Sequence, residues 1–180
     1  MFPSKIKRSK KIYETPYYVF YEHFSQFHRF SKTYFVVDFN KTAAVICLNS
    51  NNEILLTRQY RFLINRISLE IAGGGIGKDE DFSAGAIREL LEETGYEANE
   101  LIPLCKFRPG LDNVDNPTEI FLCRNFVKKF EVHPNPSEIL GIEWVHIDEC
   151  LRLISSFEIQ DGTSIMGISL AKAFLDRNGR

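Results

Sequence analysis

The feature that most constrains this chain is a short segment in which acidic side chains crowd together on one predicted helix. Residues 74–96 read GGIGKDEDFSAGAIRELLEETGY. Within this segment Arg88 is followed by Glu89, Glu92 and Glu93, all inside about one and a half helical turns. Like charges at this spacing destabilise a helix unless a cation lies among them. A hard divalent metal ion, which takes oxygen ligands and can also hold a phosphate, is the simplest such cation.

The ends of this helix can be predicted from local signals. Asp81 suits the N-cap position, and Gly95 suits the left-handed conformation that ends many helices. At about 100° per residue, Glu89 and Glu93 share one face, and Gly85 projects the same way, so we expect Gly85 to leave room for a ligand. The opposite face, which we expect to enter the core, carries Ile87, Leu90, Leu91 and Thr94.

The segment resembles the Nudix box, a motif with a glycine, a glutamate and a glutamate-rich helix at set spacings. The positions that match are Gly74, Glu80, Arg88, Glu89, Leu90, Glu92, Glu93 and Gly95, and only the aromatic Tyr96 departs from the usual aliphatic residue. The alternative is an ordinary charge-rich surface helix. The resemblance implies an α-β-α sandwich with a mixed β-sheet.

Patterns along the rest of the chain predict a mixture of strands and helices. Strands are predicted at 17–24, 33–39, 43–48, 54–60, 68–72, 101–107, 119–127 and 141–146, and helices at 148–155 and 163–176. We expect Asp148 to cap the first of these helices, the basic start 5–11 to be a frayed terminus, and 108–117 to be a loop. The strand at 68–72 should lead into a glycine-rich loop. This mixture indicates an α/β or α+β sandwich.

A second group of candidate residues lies before the box. Arg58 and Arg61 fall at the end of one predicted strand, and two arginines suit a planar hold on phosphate or carboxylate, although exposed arginines are also common. The stretches at 58–61 and 69–74 are similar to the Arg-Gln-Tyr-Arg and Leu-Glu-Leu-Pro-Ala-Gly segments of ADP-ribose pyrophosphatases. This resemblance implies that Arg61 binds substrate and that Gly73 offers its backbone carbonyl to a metal ion.

Two later positions are implied by the same resemblance. Pro109 falls where this subfamily carries a substrate-binding proline, but after Gly110 the sequence departs from the family motif, so an ordinary proline turn stays open. The resemblance also implies a general base on a late loop, and Glu138 is the only carboxylate within 133–138. Glu92 is the alternative base.

The implied roles describe a metal-dependent hydrolase. Mg²⁺ or Mn²⁺ would be bound by Glu89, Glu92, Glu93 and the carbonyl of Gly73, with Arg88 orienting the glutamates. The implied reaction cleaves the pyrophosphate bond of a nucleoside diphosphate joined to another group. ADP-ribose, giving AMP and ribose 5-phosphate, is the leading substrate, and another nucleotide sugar is the alternative. A second hypothesis is a Nudix-like regulator that binds a ligand without turnover, although a pure binder would not need all the carboxylates.

Composition narrows the partners and the compartment. With 22 basic and 24 acidic residues the net charge is −2, so nothing favours nucleic acid binding. No apolar run is long enough for a membrane span or a signal peptide. The four cysteines are not at metal-site spacing, and we expect buried free thiols in a cytoplasmic protein.

Aromatic side chains recur throughout 13–39 and leave both faces of the first predicted strand aromatic. Exposed aromatic surface is typical of interfaces. We therefore expect 1–40 to form N-terminal dimerisation strands of a homodimer, with 41–180 as the hydrolase domain. The resemblance implies that such strands are exchanged between subunits, and the alternative is that the aromatics pack within one subunit's own sheet.

Overall fold

The computed structural model describes residues 5–133 and 139–178 of the 180-residue chain. The strands are β1 (Lys5–Glu14), β2 (Val19–Gln26), β3 (Ser31–Asp38), β4 (Lys41–Cys47), β5 (Glu53–Arg61), β6 (Arg66–Ile76), β7 (Tyr96–Ala98), β8 (Ile102–Phe107), β9 (Val114–Asp115), β10 (Thr118–Cys123), β11 (Phe126–Lys128) and β12 (Ile139–His146). The helices are α1 (Phe82–Thr94), α2 (Ile147–Ser155) and α3 (Gly162–Asn178). Within these ranges no helix is long and apolar enough to cross a membrane.

A six-stranded mixed sheet forms the centre of the molecule, in the order β12-β5-β6-β4-β10-β8. Strands β4 and β10 are parallel, and the other neighbouring pairs are antiparallel. Helix α1 packs on one face of this sheet, while α2 and α3 pack on the other. The predicted α-β-α sandwich with a mixed sheet is confirmed.

Strand β4 shows why the sheet is covered on both sides. Ala44 and Ile46 pack into the core under α2 and α3, whereas Ala43, Val45 and Cys47 pack under α1. Because successive side chains of a strand point to opposite faces, an unbroken apolar run serves both layers. The expectation of buried free thiols holds for Cys47, Cys123 and Cys150, whereas Cys105 is free but only partly buried.

A separate four-stranded sheet, in the order β1-β2-β3-β9, contains the N-terminal residues. The prediction of a frayed basic terminus is wrong, because β1 pairs with β2 from Lys5 opposite Gln26 to Glu14 opposite Val19. Its lysines and Arg8 are typical of an edge strand, where charged side chains discourage further pairing. The basic stretch is therefore a strand.

The predicted glycine-rich loop is also wrong, because β6 continues through Gly73 and Gly74, which lie opposite Ala44 and Ala43 of β4. The reason is close backbone approach. A Cβ atom added at Gly73 would lie 2.6 Å from the carbonyl oxygen of Ala43. Glycine thus allows the two strands to pair where a larger residue would separate them.

Three further boundaries differ from the predictions. Helix α2 begins at Ile147, and its N-cap is His146, whose Nδ1 accepts a hydrogen bond from the backbone N–H of Asp148 at 3.3 Å. The predicted strand at 119–127 is split after Cys123 into β10 and β11, and the predicted loop at 108–117 contains the short strand β9. The split segments pair with different partners, which a single-sequence pattern does not reveal.

Candidate active site

Both ends of α1 match the prediction. Asp81 is the N-cap, and its Oδ1 accepts a hydrogen bond from the backbone N–H of Ser83 at 2.8 Å. Gly95 ends the helix in the left-handed conformation, with φ of 74° and an N–H that donates to Leu91 at 2.9 Å. These two caps fix the first and last residues of α1.

Gly85 does not leave room for a ligand, and that expectation is wrong. It is buried, and a Cβ atom at Gly85 would lie 2.2 Å from Cγ2 of Ile76 on β6. The glycine therefore allows α1 to lie directly on β6. Leu90 and Thr94 are fully buried, as expected for the core face of the helix.

Glu89 lies directly over the glycine-lined part of β6. A Cβ atom added at Gly74 would be only 2.5 Å from Oε2 of Glu89. Burial raises the pKa of Glu89, and its hydrogen bond with Arg88 opposes that rise. Any side chain at Gly74 would push this carboxylate from its place.

Arg88 lies among the carboxylates of the box. Its guanidinium donates to Glu80 at 3.0 Å, to Glu89 at 2.7 Å and to Glu92 at 3.1 Å. Hydrogen bonds with Glu80 and Glu89 raise the pKa of Arg88 above its ordinary value. The charge crowding that the sequence displays is thus relieved in part by an arginine of the same helix.

Glu93 is placed by neutral donors. Its Oε2 accepts a hydrogen bond from the backbone N–H of Gly73 at 3.0 Å, and its Oε1 lies 3.5 Å from Nε2 of Gln59. Burial raises the pKa of Glu93 to about 7, the Gly73 hydrogen bond opposes this rise, and the charge of nearby Glu89 adds to it. An added cation would therefore be favourable beside Glu93.

Arg61 forms a two-pronged ion pair with Glu70. Its Nε donates to Oε1 of Glu70 at 2.7 Å, and its Nη2 donates to Oε2 at 2.5 Å. A cavity of about 320 Å³ opens beside this pair and is lined by Phe62, Ser68 and Asp161 among others. The structure thus places Arg61 at a cavity wall, with its guanidinium bound to a carboxylate.

Pro109 lies away from Arg61. It follows β8, one of the two edge strands of the central sheet. Three strands separate β8 from β5, and β5 ends at Arg61. At the usual strand spacing this corresponds to roughly 19 Å across the sheet. The loop after Pro109 instead joins the N-terminal sheet, because Val114 of β9 lies opposite Val37 of β3.

Glu138 lies outside the described residues. The next residue, Ile139, begins β12 and lies opposite Gln59 of β5. Ile139 thus lies beside the glutamine whose amide faces Glu93.

Gln59 and Glu70 contact candidate site residues, although neither was expected to from the sequence. Each is only 7% exposed. Glu70 lies between the apolar residues Leu69 and Ile71, and a polar residue in such an apolar run is the signal that could have identified it. Gln59 lies between Arg58 and Tyr60, so its neighbours in the sequence carry no such signal.

The donor atoms suit a hard divalent ion, although the side chains as placed do not enclose one. In the described ranges no group of three or more acidic, histidine or cysteine side chains is arranged to hold a metal ion. Instead of a metal ion, the guanidinium of Arg88 supplies the positive charge beside Glu89 and Glu92. The carboxylates of Glu89 and Glu93 are nevertheless partly buried and near enough for their negative charges to interact. Carboxylate oxygens are the ligands that hard ions such as Mg²⁺ and Mn²⁺ prefer.

Comparison with known proteins gives consistent matches. Residues 38–163 match the NUDIX domain family. The chain is 29% identical to the methanol dehydrogenase activator of Bacillus methanolicus, covering 69% of this chain and 68% of that protein. It is 28% identical to the ADP-ribose pyrophosphatase of Bacillus subtilis (strain 168), over the same shares of both chains.

Among solved structures, the chain is similar to an ADP compounds hydrolase. The TM-score is 0.82 at 17% identity, covering 98% of this chain and 96% of that one. At this identity the likeness shows the fold alone.

Proposed function

The chain belongs to the NUDIX domain family, and we propose that it hydrolyses the pyrophosphate bond of ADP-ribose to give AMP and ribose 5-phosphate. The observation that supports this most is the set of box carboxylates on α1, two of which lie over the glycine-lined strand β6. The choice of substrate is supported by the ADP-ribose pyrophosphatase of Bacillus subtilis, of which the match covers 68%.

We further propose that Glu89, Glu92, Glu93 and the carbonyl of Gly73 bind Mg²⁺ or Mn²⁺. When bound, such an ion neutralises phosphoryl charge and activates water for attack. Glu89 would exchange its contact with Arg88 for the ion. Arg88 would keep its other carboxylate partners and so orient the glutamates of the box.

The remaining proposed roles belong to side chains around this centre. Arg61 would donate to the substrate diphosphate in exchange for Glu70, since a guanidinium can bind two phosphate oxygens as it binds the two carboxylate oxygens of Glu70. Glu138 would take the proton from the attacking water, with Glu92 as the alternative base. Pro109 would shape the substrate pocket from the loop after β8.

Two other functions stay as alternatives. The first is hydrolysis of another nucleotide sugar, which the same carboxylates could perform. The second is a non-catalytic Nudix-like regulator that binds a ligand without turnover. Retention of the full box favours turnover, because ligand binding alone does not need every carboxylate.

We also propose that the protein is a cytoplasmic homodimer.

The test is a substrate panel with controlled metal content. Purified protein should release AMP from ADP-ribose in Mg²⁺ or Mn²⁺, measured by chromatography with mass detection, and release should stop in excess EDTA. A faster rate on another nucleotide sugar would transfer the assignment to that substrate. Equal rates with and without EDTA would exclude the metal mechanism, and tight ADP-ribose binding without any product would favour the regulator.

A further inference from the structure

Gln59 is a buried glutamine near the end of β5, on the sheet face under α1. It is 7% exposed and lies on β5. A buried amide without hydrogen-bond partners costs roughly 1–3 kcal/mol, so its partners indicate why the position is polar. Its Nε2 lies 3.1 Å from Oγ1 of Thr57 and 3.5 Å from Oε1 of Glu93. The amide thus links the sheet to the acidic helix.

Thr57 determines which way this amide faces. Its hydroxyl is fully buried and donates to the backbone carbonyl of Glu70 at 3.2 Å. Since that hydroxyl proton is already used, Oγ1 can only accept from Gln59. One N–H of Gln59 therefore binds Thr57, and the second N–H faces Glu93.

The result for Glu93 is a carboxylate held at both oxygens by uncharged donors. The Gly73 N–H binds Oε2, and the Gln59 amide faces Oε1. Glu89 and Glu92, by contrast, share the positive charge of Arg88. Neutral donors orient a carboxylate without cancelling its charge, and each oxygen keeps a further lone pair.

We propose that Gln59 is a positioning residue for Glu93, which it holds in the orientation that binds the divalent ion. The inference rests on the proposed function, because that function supplies the ion. Partners that orient metal ligands typically contribute about 10- to 100-fold in metal affinity or activity. Gln59 acts through Glu93 and does not itself contact substrate or metal.

The variant that tests this is Gln59→Met, which keeps the length of the side chain and removes the amide. Tyr60→Phe is the matched control, because it lies next to Gln59 on the opposite face and loses only a hydrogen bond to Asn65 at 2.8 Å. Mn²⁺ binding without substrate, followed by electron paramagnetic resonance, is the main measurement. Thermal unfolding without metal is recorded for each protein.

We expect Gln59→Met to weaken Mn²⁺ binding by about 10- to 100-fold at a temperature where it is fully folded, and Tyr60→Phe to bind as the wild type does. Unchanged Mn²⁺ affinity in folded Gln59→Met would overturn the inference while leaving the function intact. If Gln59→Met does not fold, Thr57→Val decides, since it removes the anchor of the amide: weaker Mn²⁺ binding supports the inference and unchanged binding rejects it. A wild-type protein that binds no Mn²⁺ would reject the proposed function and the inference with it.

Discussion

Arg88 controls the charge balance of the candidate site. One guanidinium contacts Glu80, Glu89 and Glu92, so it offsets part of the negative charge of the acidic helix. Glu93 stands outside this arrangement and is held by the backbone of Gly73. A metal ion would therefore stabilise the negative charge most beside Glu93, which Arg88 does not contact.

The first residue-scale prediction concerns Glu93. Glu93→Gln removes one negative charge at nearly constant shape, so we expect metal-dependent turnover to fall at least about 100-fold, beyond the loss usual for an outer partner. Glu97→Gln is the control. Glu97 lies in β7 and forms an ion pair with Lys129 at 2.6 Å, away from the box carboxylates. Rates at saturating metal and circular dichroism check the result, and full turnover in Glu93→Gln would show that Glu93 is not a ligand.

The second residue-scale prediction concerns Glu138. If it takes the proton from the attacking water, Glu138→Gln should lower kcat by about 100-fold or more with little change in KM, because general base catalysis contributes about that much. Glu131→Gln, which loses an ion pair with Lys128, is the control from the preceding segment. Steady-state kinetics decide: an unchanged kcat would move the role to Glu92.

At the scale of elements, the contact between α1 and β6 depends on Gly85. Alanine would gain about 1 kcal/mol of helix propensity, but its Cβ would meet the branched side chain of Ile76 at 2.2 Å, and such overpacking costs about 1–3 kcal/mol. Because a contact of 2.2 Å calls for the upper part of that cost, about 2–3 kcal/mol, we expect Gly85→Ala to lower the free energy of unfolding by about 1–2 kcal/mol after the gain in helix propensity. Urea titration measures this change.

A second glycine provides the control for this prediction. A Cβ atom at Gly162, the first residue of α3, would have no other atom within 4 Å. Gly162→Ala should therefore leave stability unchanged or raise it slightly. If Gly85→Ala proved as stable as the wild type, the close packing of α1 on β6 would not be the reason for glycine there.

At the scale of the whole molecule, the exposed aromatic residues of the N-terminal sheet favour a dimer. Tyr13 is 59% exposed, Tyr17 80% and Phe35 52%, which is costly for a lone subunit in water. Light scattering at micromolar concentration should give about twice the chain mass of 20.8 kDa. Deleting 1–40 should then give the monomer mass, whereas a monomeric full chain would show that these aromatics have another role.

The family, the sandwich class and both ends of α1 could be predicted from the amino-acid sequence alone. Their signals are carried by the chain itself: a capping aspartate, a terminal glycine, the spacing of the box over residues 74–95, and the order of strand and helix patterns. The boundaries that were wrong, such as the basic strand β1 and the paired glycines of β6, depend instead on a partner strand. Local propensity does not contain that partner.

The contacts that orient the site could not be predicted before the fold was known. Gln59 meets Glu93 across a separation of 34 residues, and Arg61 meets Glu70 through the register of two antiparallel strands. A shift of one residue in that register would place Arg61 and Glu70 on opposite faces of the sheet. Register is set by packing of the whole sheet against its helices, so these contacts exist only once the chain has folded.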